Sequence, residues 1–194
     1  MSVLKPFVSV LFAIVVLVIA GGYLLPSTVH VERDIVIDAP PEQVYALLSD
    51  FSSWEGWSPW AALDPNAEMT ISGSGLGQTM SWASDNPKVG QGTQTIVALD
   101  APNALTTHLE FGDMGVADAT FTLLPEADQT RVVWTLDSDM REGVPLLAQP
   151  INTYFGFLMD SMVGNDYEVG LQNLKNLAES NASAPLALTG VENG

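Results

Sequence analysis

The stretch VERDIVIDAPPEQVYALLSDFSSWEGWSPW, residues 31–60, changes its hydrophobic period twice, and each change marks an element. With Val29 just ahead of it, Val31, Ile35 and Ile37 alternate with polar residues over 29–38, the period of a strand with one covered face, interrupted at Arg33. Pro40 and Pro41 end the strand, and Pro41 suits a first helical position, where its missing N–H leaves nothing unpaired. Val44, Leu47 and Leu48 then follow helical spacing over 42–48. Asp50 is placed to cap a second short turn through FSSWEGW. Trp54, Trp57 and Trp60, three of the chain's five tryptophans, follow at intervals of three and so share one side of a helical turn.

Downstream, from Glu68 to Met140, the period is two. The runs EMTIS, QTMSWAS, GTQTIVALD, LTTHLEF, ADATFTLL and TRVVWTLDSD are separated by breaks rich in glycine, proline, asparagine and aspartate. Six strands joined by short loops predict an antiparallel meander, and the first strand makes about seven. The last pattern is helical: Ile151, Tyr154, Phe155, Leu158 and Met162 form a stripe that Tyr167, Leu171, Leu174 and Leu177 continue after a slip near Gly164, where a bend is expected. Residues 180–194 lack periodicity and are expected to be a disordered tail. A curved sheet needs cover on its inner face, and the long helix is the one element large enough to supply it. The expectation is an α+β fold with a space between sheet and helix.

Upstream, Phe7 to Leu25 carries no charge, and at about 1.5 Å per residue it reaches roughly the 30 Å of a bilayer's hydrocarbon. Residues 1–26 therefore read as a single membrane anchor, or an uncleaved signal, because the run is longer than a signal core and ends in Tyr23, Leu24, Leu25 and Pro26 rather than a small-x-small site. Lys5 on the amino-terminal flank favours a domain on the exported side, periplasmic or extracellular. The absence of cysteine excludes a disulfide framework, a thiolate nucleophile, a Cys-based zinc site and a lipid-modified cysteine. Six basic residues against 23 acidic ones give a net charge of −17, which makes nucleic acid a poor partner and anionic headgroups repulsive. So much acid reads as solubility, and no calcium-loop spacing accompanies it.

The order strand, Ala39-Pro40, helix carrying Val44-Tyr45, then Asp50, Trp54 and Trp57 resembles the opening of the polyketide cyclase/dehydrase-type branch of the START-like superfamily, also called SRPBCC or Bet v 1-like. GLGQTMSWAS, TRVVWTLD and VGNDYEVGLQNLKNLAE resemble later pieces of the same family, and the likeness covers 29–179. The resemblance implies a helix-grip fold, with a seven-stranded curved antiparallel sheet around the long C-terminal helix, two short helices after the first strand, and a hydrophobic cavity. It does not imply one activity, because a fold hosts unrelated functions.

The residues themselves offer little catalytic machinery. His30 and His108 lie far apart on different expected strands without a metal-ligand partner at useful spacing, and alternation turns His108 outward, away from Leu105, Leu109 and Phe111. Gly73-Ser74-Gly75 falls between strands and not before a helix, so it is neither a nucleophile elbow nor a phosphate loop. Glu110, Asp118, Asp137 and Asp139 read as acids of the outer face. No catalytic residue, metal ligand or cofactor is expected. The candidate ligand-cavity residues are Trp54, Trp57, Trp60, Trp82, Trp134, Tyr154, Phe155, Leu158 and Met162, each of which reads equally as core packing. The expected function is a membrane-anchored START-like domain that binds a hydrophobic small molecule or lipid. The alternatives are a cyclase or hydratase acting on a carbonyl compound, and an envelope stress or interaction module meeting an unknown protein partner.

Overall fold

A computed structural model describes residues 4–61 and 63–183. Helix α1 (Leu4–Leu24) is followed after three residues by β1 (Thr28–Ile37), α2 (Pro41–Leu48) and a short 3-10 helix (Phe51–Gly56). The meander comprises β2 (Glu68–Ser72), β3 (Thr79–Ala83), β4 (Gln91–Asp100), β5 (Ala104–Glu110), β6 (Val116–Glu126) and β7 (Gln129–Asp139), with a 3-10 turn at Gly112–Met114. Helix α3 (Gln149–Ser183) closes the described chain. The sheet order is β1-β7-β6-β5-β4-β3-β2, and every pairing is antiparallel. The helix-grip architecture expected from residues 29–179 is the one observed.

Local chemistry explains the opening elements. Pro41 stands in the first turn of α2, and the Asp50 carboxylate accepts from the Ser52 N–H at 2.9 Å, capping the 3-10 helix. Asp50 also accepts from the Gln78 side chain, whose Oε1 takes the Phe51 N–H, so this corner is stitched to the start of β3. Thr130 Oγ1 donates to the Ala39 carbonyl at 2.7 Å and fixes the turn out of β1.

Two expectations about α3 are corrected. Its apolar stripe is not continuous with a bend at Gly164: the helix runs unbroken through that residue, and its apolar side changes face there. At 3.6 residues per turn, Ile151, Phe155, Leu158 and Met162 lie half a turn away from Tyr167, Leu171, Leu174 and Ala178. The second set is buried against the sheet, whereas the first is exposed. The reason is Arg33, which alternation turns inward toward α3. Its Nε donates to Glu168 (2.8 Å) and its Nη1 to Asp160 (3.0 Å), while a Cβ on Gly164 would fall 2.1 Å from Nη2. Gly164 thus admits a guanidinium rather than a bend. These pairs are half open to solvent, so they fill and neutralise the space more than they stabilise it. The second correction is at the end of the helix. Residues 180–183, assigned by sequence to the tail, belong to α3, and 184–194 lie outside the described residues.

Candidate functional site

The inner face of the sheet divides into two halves. Beneath the C-terminal half of α3, aromatic rings pack edge to face and stack. Trp134 lies 3.6 Å from Tyr167 and 4.6 Å from Phe121 between centroids, while Trp57 meets Trp54 (4.7 Å), Trp134 (5.7 Å) and Phe121 (6.0 Å). All five are buried. The 3-10 helix supplies Trp54 and Trp57, whose indole N–H groups donate to the carbonyls of Leu48 (2.9 Å) and Leu47 (3.3 Å) of α2. That pairing removes the cost of burying them. This half is solid packing. Burial also pushes the Tyr167 hydroxyl far above the ordinary phenol range.

The half of the grip nearer α1 is different. Register places Val29, Ser138, Ala117, Leu109, Gln94, Met80 and Ile71 in one inward row across the sheet, and Gly92, Trp82 and Met69 in the next. The central positions, Ser138, Ala117 and Gly92, are small. Trp82 rests against Gly92, where a Cβ would lie 2.6 Å from its ring, and its indole N–H donates to the Val89 carbonyl. Trp82 and Phe111, 6.0 Å apart, are half-buried, as are Leu109, Met159 and Val163. Met159, Val163 and Asp166 share one flank of α3, and Asp166 accepts from the Trp60 indole at 3.3 Å. Besides Asp166, the polar groups of this half are paired within the sheet: Gln94 Nε2 donates to Thr107 Oγ1 at 2.8 Å and Ser138 Oγ to the Val116 carbonyl at 2.6 Å. Among the described residues, alternation leaves Arg33 as the one ionisable side chain that β1–β7 turn inward. Two buried donors, Tyr45 Oη and Trp134 Nε1, have no hydrogen-bond partner among the described residues.

The family model described as polyketide cyclase / dehydrase and lipid transport matches residues 28–179. The chain belongs to that family. Solved structures with the same fold include the Zhui aromatase/cyclase from a Streptomyces species, at 19% identity over 81% of this chain and 97% of that one (TM-score 0.58). Norcoclaurine synthase from Thalictrum flavum, in complex with dopamine and hydroxybenzaldehyde, matches at 12% identity over 81% and 90% (TM-score 0.59). The di-domain aromatase/cyclase of the steffimycin pathway matches at 11% identity over 81% and 52% (TM-score 0.60). At these identities the likeness is one of fold. No curated protein matches the sequence.

In this polyketide cyclase/dehydrase-type domain, the candidate ligand residues named from sequence fall into three places. Trp54, Trp57 and Trp134 are inside the solid half, Trp60 and Trp82 border the small-residue half, and Tyr154, Phe155, Leu158 and Met162 lie on α3 away from the inner face of the sheet. Sequence reasoning passed over Ala117, Ser138 and Gly92, because small residues in strands carry no motif. Their signal was register: each occupies an inward position once the strands are paired.

The outer face carries both histidines. Across four neighbouring strands one row reads His30, Asp137, Asp118 and His108, with His30 Nδ1 and His108 Nδ1 each 2.7 Å from the facing aspartate. An open depression of about 270 Å³ is lined by His108, Asp118, Asp137 and Asp139 and also by Val29, Ala117 and Ser138 of the inward row; its carboxylates make it a poor seat for an apolar ligand. The hydrogen bond to Asp137, followed by the charges of Asp137 and Glu32, raises the His30 imidazole above 6.5. Because the folded value is the higher one, the stability from this pair is complete below pH 6.5 and is lost as the pH rises through the raised value. An NMR titration is expected to place His30 above 6.5 in the native chain and close to it in Asp137→Asn; an unchanged midpoint in the variant would show that the pair does not form.

Proposed function

We propose that this protein is a membrane-anchored binder of a neutral apolar small molecule or lipid, held in the half of the grip nearer α1. The observation that carries the reading is the pairing of small inward residues, Gly92, Ala117 and Ser138, with half-buried Trp82, Leu109, Phe111, Met159 and Val163 around them. An apolar ligand there gains contact with side chains that are otherwise part-solvated, at about 25 cal/mol per Å² removed from water. The Gln94 side-chain carbonyl, oriented by the bond from its amide to Thr107, offers a guest hydroxyl an acceptor. An amide, two hydroxyls that already donate to backbone carbonyls, an arginine already held by two carboxylates and Asp166, already accepting from the Trp60 indole, favour holding a molecule over moving a proton on it. The family's description includes lipid transport, and one solved structure of the same fold, norcoclaurine synthase, holds dopamine and hydroxybenzaldehyde, which fits an apolar guest. Residues Phe7–Leu24 of α1 are long and apolar enough to cross a membrane, and Lys5 ahead of that stretch favours an exported domain.

The test uses full-length protein in phosphatidylcholine nanodiscs and a pyrene-labelled diacylglycerol, chosen neutral because the chain carries 23 acidic residues. Energy transfer from tryptophan to pyrene is expected in the native protein. Ala117→Leu, which fills the small row, is expected to weaken it about ten-fold, equivalent to about 1.4 kcal/mol. Equal affinity in a variant that unfolds at the native temperature would remove the proposed site.

A further inference from the structure

The end of the barrel nearest α1 is bolted to the last two turns of that helix. Arg141 Nη2 donates to the carbonyls of Gly22 (2.9 Å) and Leu25 (2.7 Å), which α1 leaves unpaired at its C-terminus, and Arg141 Nε donates to Thr153 Oγ1 (3.1 Å). Tyr23 Oη donates to the Leu146 carbonyl at 2.6 Å, and Tyr154 Oη to the Val18 carbonyl at 2.9 Å. The backbones of α1 and α3 meet closely: a Cβ on Gly22 would lie 2.6 Å from Pro150 Cα. Val18 precedes Leu24 by six residues, about 9 Å along the helix. If α1 spans a bilayer, whatever is fixed beside Val18–Leu24 sits at the depth where acyl chains give way to headgroups.

The protein places apolar side chains there. Leu147 is 90% exposed, Ile151 73%, Leu146 66% and Met114 62%, with Phe155 beside them on α3 and Met114 joined through Asn152 Nδ2 to its own carbonyl. Residues 144–159 contain no ionisable acid or base except the phenol of Tyr154, in a chain with 23 acidic residues. The outward face of α3 is apolar only near the anchor: Ile151, Phe155, Leu158 and Met162 give way, one turn after another, to Asn165, Gln172, Asn176 and Ser180, with Val169 the exception. A face that served only solvent has no reason to change character with distance from α1, whereas a face meeting lipid at one end does.

We propose that Leu146, Leu147, Ile151, Phe155 and Met114 form a second membrane contact, seated in the headgroup and upper acyl region of the leaflet that α1 exits. The inference rests on the reading of α1 as a membrane span. Exposed Asp113 and Glu142 flank the contact, so its lipid is zwitterionic rather than anionic. The contact holds the small-residue half of the grip against the lipid from which an apolar guest would come.

The chain lacks cysteine, so each introduced thiol is a unique label. Full-length Ile14→Cys, Leu147→Cys, Phe155→Cys and, at the far end of β4, Val97→Cys carry the fluorophore NBD in phosphatidylcholine nanodiscs, with and without doxyl-labelled lipid. All four side chains are exposed, so labelling leaves the packing intact. Emission at Ile14, Leu147 and Phe155 is expected to fall at least about two-fold with the lipid quencher, while Val97 is unchanged. Quenching at Ile14 without Leu147 or Phe155 overturns the second contact and leaves the anchor standing. An unquenched Ile14 removes the anchor and this inference together. Blue-shifted emission at Leu147 that lipid does not quench assigns the patch to a protein partner and overturns the proposal, as does equal quenching at Val97.

Discussion

Trp57→Ala is expected to destabilise the domain by about 3–5 kcal/mol, a large share of the 5–15 kcal/mol typical of native proteins. The ring is 1% exposed and touches Trp54, Phe121 and Trp134 at centroid distances of 4.7–6.0 Å. None of these neighbours is free to collapse into the gap: Trp54 is held by its indole bond to Leu48, and Trp134 is stacked between Phe121 and Tyr167. The substitution also strands the Leu47 carbonyl that accepts from the Trp57 indole, whereas the bond from the Asn173 side-chain amide to the Trp57 carbonyl survives. At roughly 2–4 °C per kcal/mol for a domain of this size, thermal unfolding followed by near-ultraviolet circular dichroism is expected to shift down by about 10 °C. A shift under about 2 °C would mean that this half of the interior is pliant and not close-packed.

Gly92→Ala is the second large effect, at about 1–3 kcal/mol. Its backbone is not in the left-handed region; the constraint is space. The new Cβ would lie 2.6 Å from the Glu110 carbonyl oxygen and 2.6 and 2.8 Å from two ring atoms of Trp82. The carbonyl belongs to the β4–β5 ladder and cannot retreat without breaking it, so the ring must move. Trp82 is fixed by its bond to Val89 at 3.1 Å and its contact with Phe111, so both are lost when it tips. A lowered unfolding midpoint together with a red shift of tryptophan emission is the expected pair of results. Loss of stability without an emission change would show that the sheet yields instead of the indole.

The strands were legible because their period is short and their breaks are strong. The expected runs from EMTIS to TRVVWTLDSD match β2–β7 to within two residues at each end. The caps were legible because Pro41 and Asp50 act on their immediate neighbours. Helix α3 was legible as a helix but not in its facing. A stripe reports that one side is apolar, and it does not say whether protein or lipid covers that side. The missed signal was Asp160, Gly164 and Glu168 at intervals of four, set against a lone arginine in the first strand: two carboxylates around a glycine describe a socket for a guanidinium. The cluster of Gly92, Ala117 and Ser138, spread over two adjacent inward rows, was hidden for another reason, since it exists only once β3–β7 are in register.

The connection between α1 and β1 consists of Leu25, Pro26 and Ser27, which even fully extended reach about 10 Å. Arg141 shortens that leash further by clamping its α1 end, at Gly22 and Leu25, to the barrel, while the Met140 N–H holds the Ser27 carbonyl at the other end. If α1 spans a bilayer as proposed, a domain tethered this tightly cannot patrol the space around its anchorage or hand a guest across a gap, and any supplier or recipient of that guest has to travel in the plane to meet it.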